Sequence, residues 1–167
     1  MVSNLSGMSM QSEDFMRRAL ELARSGSAAG HGGPFGCVVV KDGAIVGEGY
    51  NRVLSSADPT AHGEIVALRD AAARLRSHDL SGCEVYNISV PCPMCMAAMY
   101  WARVSKLYYC CKPEDAEAIG FDNAEVDRQL AMPLHTRSLA AEEMPHLYEE
   151  ALSVYEGWAH QAGRKQY

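Results

Sequence analysis

Three observations predict an α/β fold, a three-layer α/β/α sandwich in which helices cover both faces of a mixed sheet. The segments 37–41 and 44–49 are apolar and strand-like, and Asp42-Gly43 between them is a strong tight-hairpin signal. Beyond the hairpin, helical and strand periodicities alternate along the chain. The third and fourth strand segments, 83–89 and 105–110, are separated by a helical segment at 92–103, so these two strands should run parallel.

Taken in order, residues 1–11 are rich in Ser, Met and Asn and read as a flexible leader. A first helix is expected over 12–25, capped by Ser12 with Glu13 and Asp14 behind it, and offering Phe15, Ala19, Leu22 and Ala23 as an apolar face. Gly30 to Gly36 is a glycine-rich loop, followed by the hairpin. Ile65, Val66, Leu68, Ala72 and Leu75 give residues 60–77 a helical period. After Lys112-Pro113 the chain is mostly helical and polar, ending in an amphipathic stretch at 148–160. Residues 12–167 are therefore expected to form one domain with a helical C-terminal segment.

Composition narrows the classes of function. A net charge of −6 argues against a general phosphate-binding surface, and so against nucleic acid as a partner. No apolar run approaches the ~20 residues that span a bilayer, so no membrane association is expected. Residues 1–11 have neither a basic segment nor an apolar core of the signal-peptide kind, which points to the cytoplasm. Six cysteines are then expected to remain thiols. Cys37, Cys83, Cys110 and Cys111 lie in strand-like segments where a buried free thiol is the ordinary reading.

The remaining two cysteines have metal-ligand spacing, in Pro91-Cys92-Pro93-Met94-Cys95. With His62 of Thr60-Ala61-His62-Gly63-Glu64 they make one imidazole and two thiolates, a donor set for Zn2+ that leaves a fourth tetrahedral position for water. Glu64 is placed to move protons rather than to bind metal. Either motif alone is weak. A Cys-x-x-Cys also serves structural zinc and redox chemistry, and His-x-Glu occurs by chance. Structural zinc normally takes four protein ligands, however, and no suitable second pair is evident, since Cys110 and Cys111 are adjacent and face opposite sides of a strand. Both metal segments fall at helix starts, where the dipole favours thiolate over thiol.

These residues resemble the cytidine-deaminase-like superfamily of zinc deaminases. The likeness extends through Gly32-Gly33-Pro34-Phe35-Gly36, Asn51, Asp58-Pro59-Thr60-Ala61-His62, Tyr100-Trp101-Ala102-Arg103, Gly120-Phe121-Asp122 and the terminal Tyr167, which follow the order seen in the short bacterial guanine deaminases. The resemblance implies a sheet of about five strands and hydrolysis of free guanine to xanthine and ammonia, a step of purine metabolism. It implies that Asn51 hydrogen-bonds the base, Phe35 walls the pocket, Gly63 offers backbone beside the metal, and Asp122 is a second proton-handling carboxylate. Trp101 and Tyr167 would help close the pocket. In those enzymes a homodimer exchanges C-terminal segments, which implies that Tyr167 serves the neighbouring subunit's site.

Each of these residues also has a plain structural role open to it. Asn51 and Asp122 could cap, and Phe35 and Trp101 could pack. The chain also departs from that pattern in three places. Gly63 stands where alanine is common, Val90 where glutamate precedes Pro-Cys, and Asn123 where a second acid is frequent. His62-Gly63-Glu64 also resembles the fungal-type cytosine deaminases. Cytosine, an aminotriazine or a purine nucleoside is thus an alternative substrate. A tRNA adenosine deaminase, or a zinc-stabilised binding module without turnover, is a more remote alternative.

Overall fold

The computed structural model describes residues 10–166. The chain divides into two compact units, one running to Asn123 and the other from Ala124 onward.

The first unit opens with α1 (Met10–Ala28), followed by the hairpin strands β1 (Gly36–Lys41) and β2 (Ala44–Tyr50). Asp42 and Gly43 both have positive φ, 50° and 76°, as the expected two-residue turn requires. A short helix α2 (Val53–Ser56) and the long helix α3 (Gly63–Leu75) lead to β3 (Glu84–Ser89). Helix α4 (Pro93–Trp101), strand β4 (Lys106–Cys111) and the single turn α5 (Pro113–Glu117) complete it.

The sheet order is β2-β1-β3-β4. β1 is antiparallel to both β2 and β3, whereas β3 and β4 are parallel, as the intervening helix predicts. The carboxyl ends of β2, β3 and β4 therefore lie at one sheet edge, together with the start of β1. Open α/β sheets bind ligands at that edge.

Alternation along the strands supplies two apolar layers. Val38, Val40 and Tyr86 pack against Met16 and Ala19 of α1. Cys37, Val39 and Val85 face the other way, into Ala67, Leu68 and Ala71 of α3 and Met99 of α4. The three-layer sandwich is the one expected, with four strands among the described residues instead of about five. Beyond β4 the chain turns helical, so nothing described pairs with its outer edge.

Several boundaries move. α1 begins before Ser12, so Ser12 is an interior residue whose Oγ lies 3.2 Å from the Tyr86 hydroxyl, not an N-cap. Met10 and Gln11, expected in the leader, belong to this helix, and residues 1–9 lie outside the described residues. Cys37 and Cys83 are buried as expected, but Cys110 is exposed and Cys111 only half-buried, because β4 is an edge strand. No helix among the described residues is long and apolar enough to cross a membrane.

The second unit contains α6 (Ala124–Ala131), two short 3-10 turns and α7 (Tyr148–Ala159). None of its described residues is buried, and Leu139, Val154, Tyr155 and Trp158 are exposed.

Close approach of α3 to the sheet depends on Gly49. A Cβ there would fall on the Gly63 carbonyl oxygen and the Ala67 amide nitrogen, backbone atoms that cannot swing aside. Glycine thus lets the first turn of α3, next to His62, rest on β2. Gly49→Ala should lower the unfolding free energy by about 1–3 kcal/mol through overpacking and loosen this helix start. Urea unfolding checks it, and a stability equal to that of the parent would show that α3 does not need this contact.

Candidate active site

His62 and Cys92 are N-cap residues, His62 of α3 and Cys92 of α4, each with extended backbone angles. Their own carbonyls begin the helices, accepting from Val66 N at 3.0 Å and Met96 N at 2.9 Å. Local sequence fixes both starts. Before α3, the Asp58 carboxylate accepts from Thr60 Oγ1 at 2.7 Å and Thr60 N at 2.8 Å. The Thr60 hydroxyl first, and then its amide, hold the Asp58 carboxyl below its ordinary range. The Thr60 carbonyl then accepts from His62 N at 2.8 Å, which sets the backbone before the imidazole. Before α4, Pro93 occupies the first helical position, where no amide hydrogen is needed. Val90 N donates to Cys111 O at 3.1 Å and ties the approach to β4.

The two helix starts bring His62 Nδ1 to 3.5 Å from Cys92 Sγ and 3.6 Å from Cys95 Sγ. All three donor atoms lie within 4.8 Å of one another. A tetrahedral zinc with Zn–S of about 2.3 Å and Zn–N of about 2.0–2.1 Å holds nitrogen and sulfur about 3.6 Å apart. The donor set therefore fits zinc in spacing as well as in chemistry. Without an ion, the thiols share protons unequally. Cys92 is pulled down to about 4, chiefly by the hydrogen bond from the Cys95 thiol and, against burial, by His62. Cys95 is pushed up by that same bond and by burial. Metal binding must displace the remaining proton, so affinity falls in acid.

Glu64 occupies the first turn of α3 and is only 5% exposed. Burial raises its pKa, opposed by a backbone hydrogen bond and by the Asn87 amide. Asn87 of β3 donates from Nδ2 to Glu64 Oε1 at 3.0 Å.

A cavity of about 400 Å³ opens beside these groups, walled by Phe35, Asn51, Leu54, Val90 and Phe121, with His62, Glu64 and Cys92 at its polar end. The Phe35 and Phe121 rings meet edge to face, 4.9 Å between centroids. A Cβ on Gly33 would stand 2.7 Å from Phe121 and 2.8 Å from Phe35, so this glycine gives the two rings room.

The predicted residues are distributed unevenly about this cavity. His62, Cys92, Cys95 and Glu64 come together. Phe35 and Asn51 line the wall, although Asn51 Oδ1 also accepts from Val53 N at 3.2 Å and caps the turn into α2. Gly63 is buried beneath the wall, where a Cβ would sit 3.0 Å from the Phe35 carbonyl oxygen. Asn123 lines the cavity, while Asp122 is not among its lining residues. Trp101 is 71% exposed at the end of α4, and Tyr167 lies outside the described residues. Sequence reading did not single out Asn87 or give Phe121 a role of its own. A polar residue at an inward position of an otherwise apolar strand was the available signal for Asn87.

The fold and site together define a zinc-binding deaminase domain. The family model of the cytidine and deoxycytidylate deaminase zinc-binding region matches residues 9–111. The chain is 41% identical over 158 residues to the guanine deaminase of Bacillus subtilis, covering 95% of this chain and 100% of that one. The crystal structure of a guanine deaminase from Bacillus subtilis superposes with a TM-score of 0.87 at 40% identity, over 96% of this chain and 99% of that one. A guanine deaminase structure from Nitrosomonas europaea gives a TM-score of 0.64 at 37% identity, over 70% of this chain and 66% of that one. A tRNA-specific adenosine deaminase of Haemophilus influenzae is 36% identical over 137 residues, 78% of this chain and 77% of that one. The chain belongs to the cytidine and deoxycytidylate deaminase zinc-binding family, and its similarity to guanine deaminases runs nearly from end to end.

Cys95→Ala should reduce bound zinc from about one per chain to near zero, since it removes one of three donors. Glu64→Gln should leave zinc bound. Metal analysis of the purified variants distinguishes them, and full zinc in Cys95→Ala would remove Cys95 from the donor set.

Proposed function

We propose that this protein hydrolyses free guanine to xanthine and ammonia. The observation that carries the reading is a buried Glu64, two residues beyond His62, facing a base-sized cavity that also holds the metal donors His62 and Cys92. The full-length similarity to guanine deaminases supports guanine over other amino-heterocycles.

His62, Cys92 and Cys95 would hold the zinc, which would supply a Lewis acid able to make a water nucleophilic near neutral pH. Glu64 takes the proton from that water and passes it to a ring nitrogen of the base. As the ring carbon gains its C–O bond and loses its C–N bond, Glu64 takes the remaining proton from the added hydroxyl and delivers it to the amino group, which departs as ammonia. Phe35 and Phe121 hold the ring plane and exclude water, and Asn51 supplies polar contact to the base. Asp122 is assigned as a second carboxylate beside the departing amino group, where it assists proton transfer. Gly63 provides backbone where the wall meets the metal donors.

The working form is assigned as a homodimer that exchanges C-terminal segments, so that Tyr167 serves the neighbouring subunit's pocket, which Trp101 also helps to close. The unit from Ala124 supports this, since its described residues bury no side chain and a segment of that size does not stand without a core. Free cysteines and the absence of basic excess support a cytoplasmic enzyme acting on a small molecule rather than on nucleic acid.

The purified protein should release ammonia from guanine, lose that activity to a chelator and regain it with zinc. A panel of guanine, cytosine, an aminotriazine, adenosine and a tRNA anticodon stem is the check. Turnover of cytosine alone would overturn the guanine reading, and turnover of none would restore the binding module. Glu64→Gln should lower kcat about 10²–10⁴-fold with zinc retained. Sedimentation should give a dimer, and a monomer would contradict segment exchange.

A further inference from the structure

Asn87 is 1% exposed and sits on β3, opposite Cys37 of β1. Its Nδ2 spends both hydrogens. One goes to Glu64 Oε1 at 3.0 Å and the other to the Ser89 carbonyl at 2.7 Å. Its Oδ1 is buried without a hydrogen-bond partner among the described residues. An unsatisfied buried acceptor costs stability that an apolar side chain of similar shape would not. A residue kept only for packing has no reason to carry that cost.

The two donated bonds have a joint effect. Ser89 is the last residue of β3 and lies against the cavity, and Val90-Pro91 leads from it directly to Cys92. Through one planar amide, the carboxylate on α3 is fixed to the end of the strand that delivers a metal donor. A carboxylate has two equivalent oxygens and rotates freely unless one is held. With Oε1 held, the remaining oxygen keeps a defined direction for proton transfer, and misdirection by even an ångström costs about 10²-fold in rate.

We infer that Asn87 is the positioning residue for Glu64, locking the carboxylate in register with the Cys92 segment so that its second oxygen serves the substrate. The inference rests on the deaminase reading for its kinetic consequence, but not for its geometric one. Asn87 itself touches no substrate, since it does not line the cavity.

The test is Asn87→Leu, an apolar residue of similar size, with Asn87→Ala as the second variant if the first fails to fold. In the zinc-loaded enzyme, kcat per bound zinc should fall about 10–100-fold while KM changes less than about threefold. The thermal midpoint should hold or rise, as the orphaned acceptor is gone. In a Glu64→Gln background the same substitution should add little, because both changes disable one device. A crystal structure of the variant should show the Glu64 carboxylate turned or in two orientations. Full kcat per zinc, additivity with Glu64→Gln, or an unmoved carboxylate would each overturn the assignment. If the wild-type protein released no ammonia from any base, the deaminase reading would fall, and the carboxylate's orientation in the variant would still decide the role of Asn87.

Discussion

Everything in the site depends on two helix N-termini arriving at one point. His62 and Cys92 are thirty residues apart, yet their donor atoms stand 3.5 Å from each other. Neither helix could do this alone. α3 must lie close on β2, which Gly49 permits, and α4 must leave β3 at the same sheet edge. The positive ends of both helix dipoles then point at the thiolates, where negative charge is most in need of support. Charge, backbone path and metal geometry are satisfied by the same arrangement.

Around that point the sheet divides its labour. The apolar layers of Val38, Val40 and Tyr86 on one face and Val39, Val85 and Met99 on the other hold the helices in place. Where β3 ends, its inward residues become polar, first Asn87 and then Ser89. That change marks the border between core and chemistry. Glu64 sits on it, buried enough for its carboxyl to be shifted upward and still lining the cavity.

Much of this was legible in the sequence, for local reasons. Asp42-Gly43 encodes its turn through the φ values those residues tolerate, and His-x-Glu and Cys-x-x-Cys encode helix starts through spacing. What escaped was nonlocal. Asn87 and Glu64 are 23 positions apart, and only the crossing of α3 over the sheet makes them neighbours. The exposure of Cys110 follows from β4 being an edge, a fact of sheet order that no residue in β4 announces. Asn123, rather than Asp122, lines the cavity, just beyond a turn that Gly120 ends with positive φ. Segments whose partners lie outside their own helix or strand are the ones a single chain leaves open.

A zinc held by three protein donors, and only three, keeps one position open for the reaction. X-ray absorption spectroscopy of the zinc-loaded protein tests it without reference to any substrate. The expected shell is two sulfurs at about 2.3 Å and two light atoms at about 2.0–2.1 Å, one of them from imidazole. Three or four sulfurs, or only one, would contradict it.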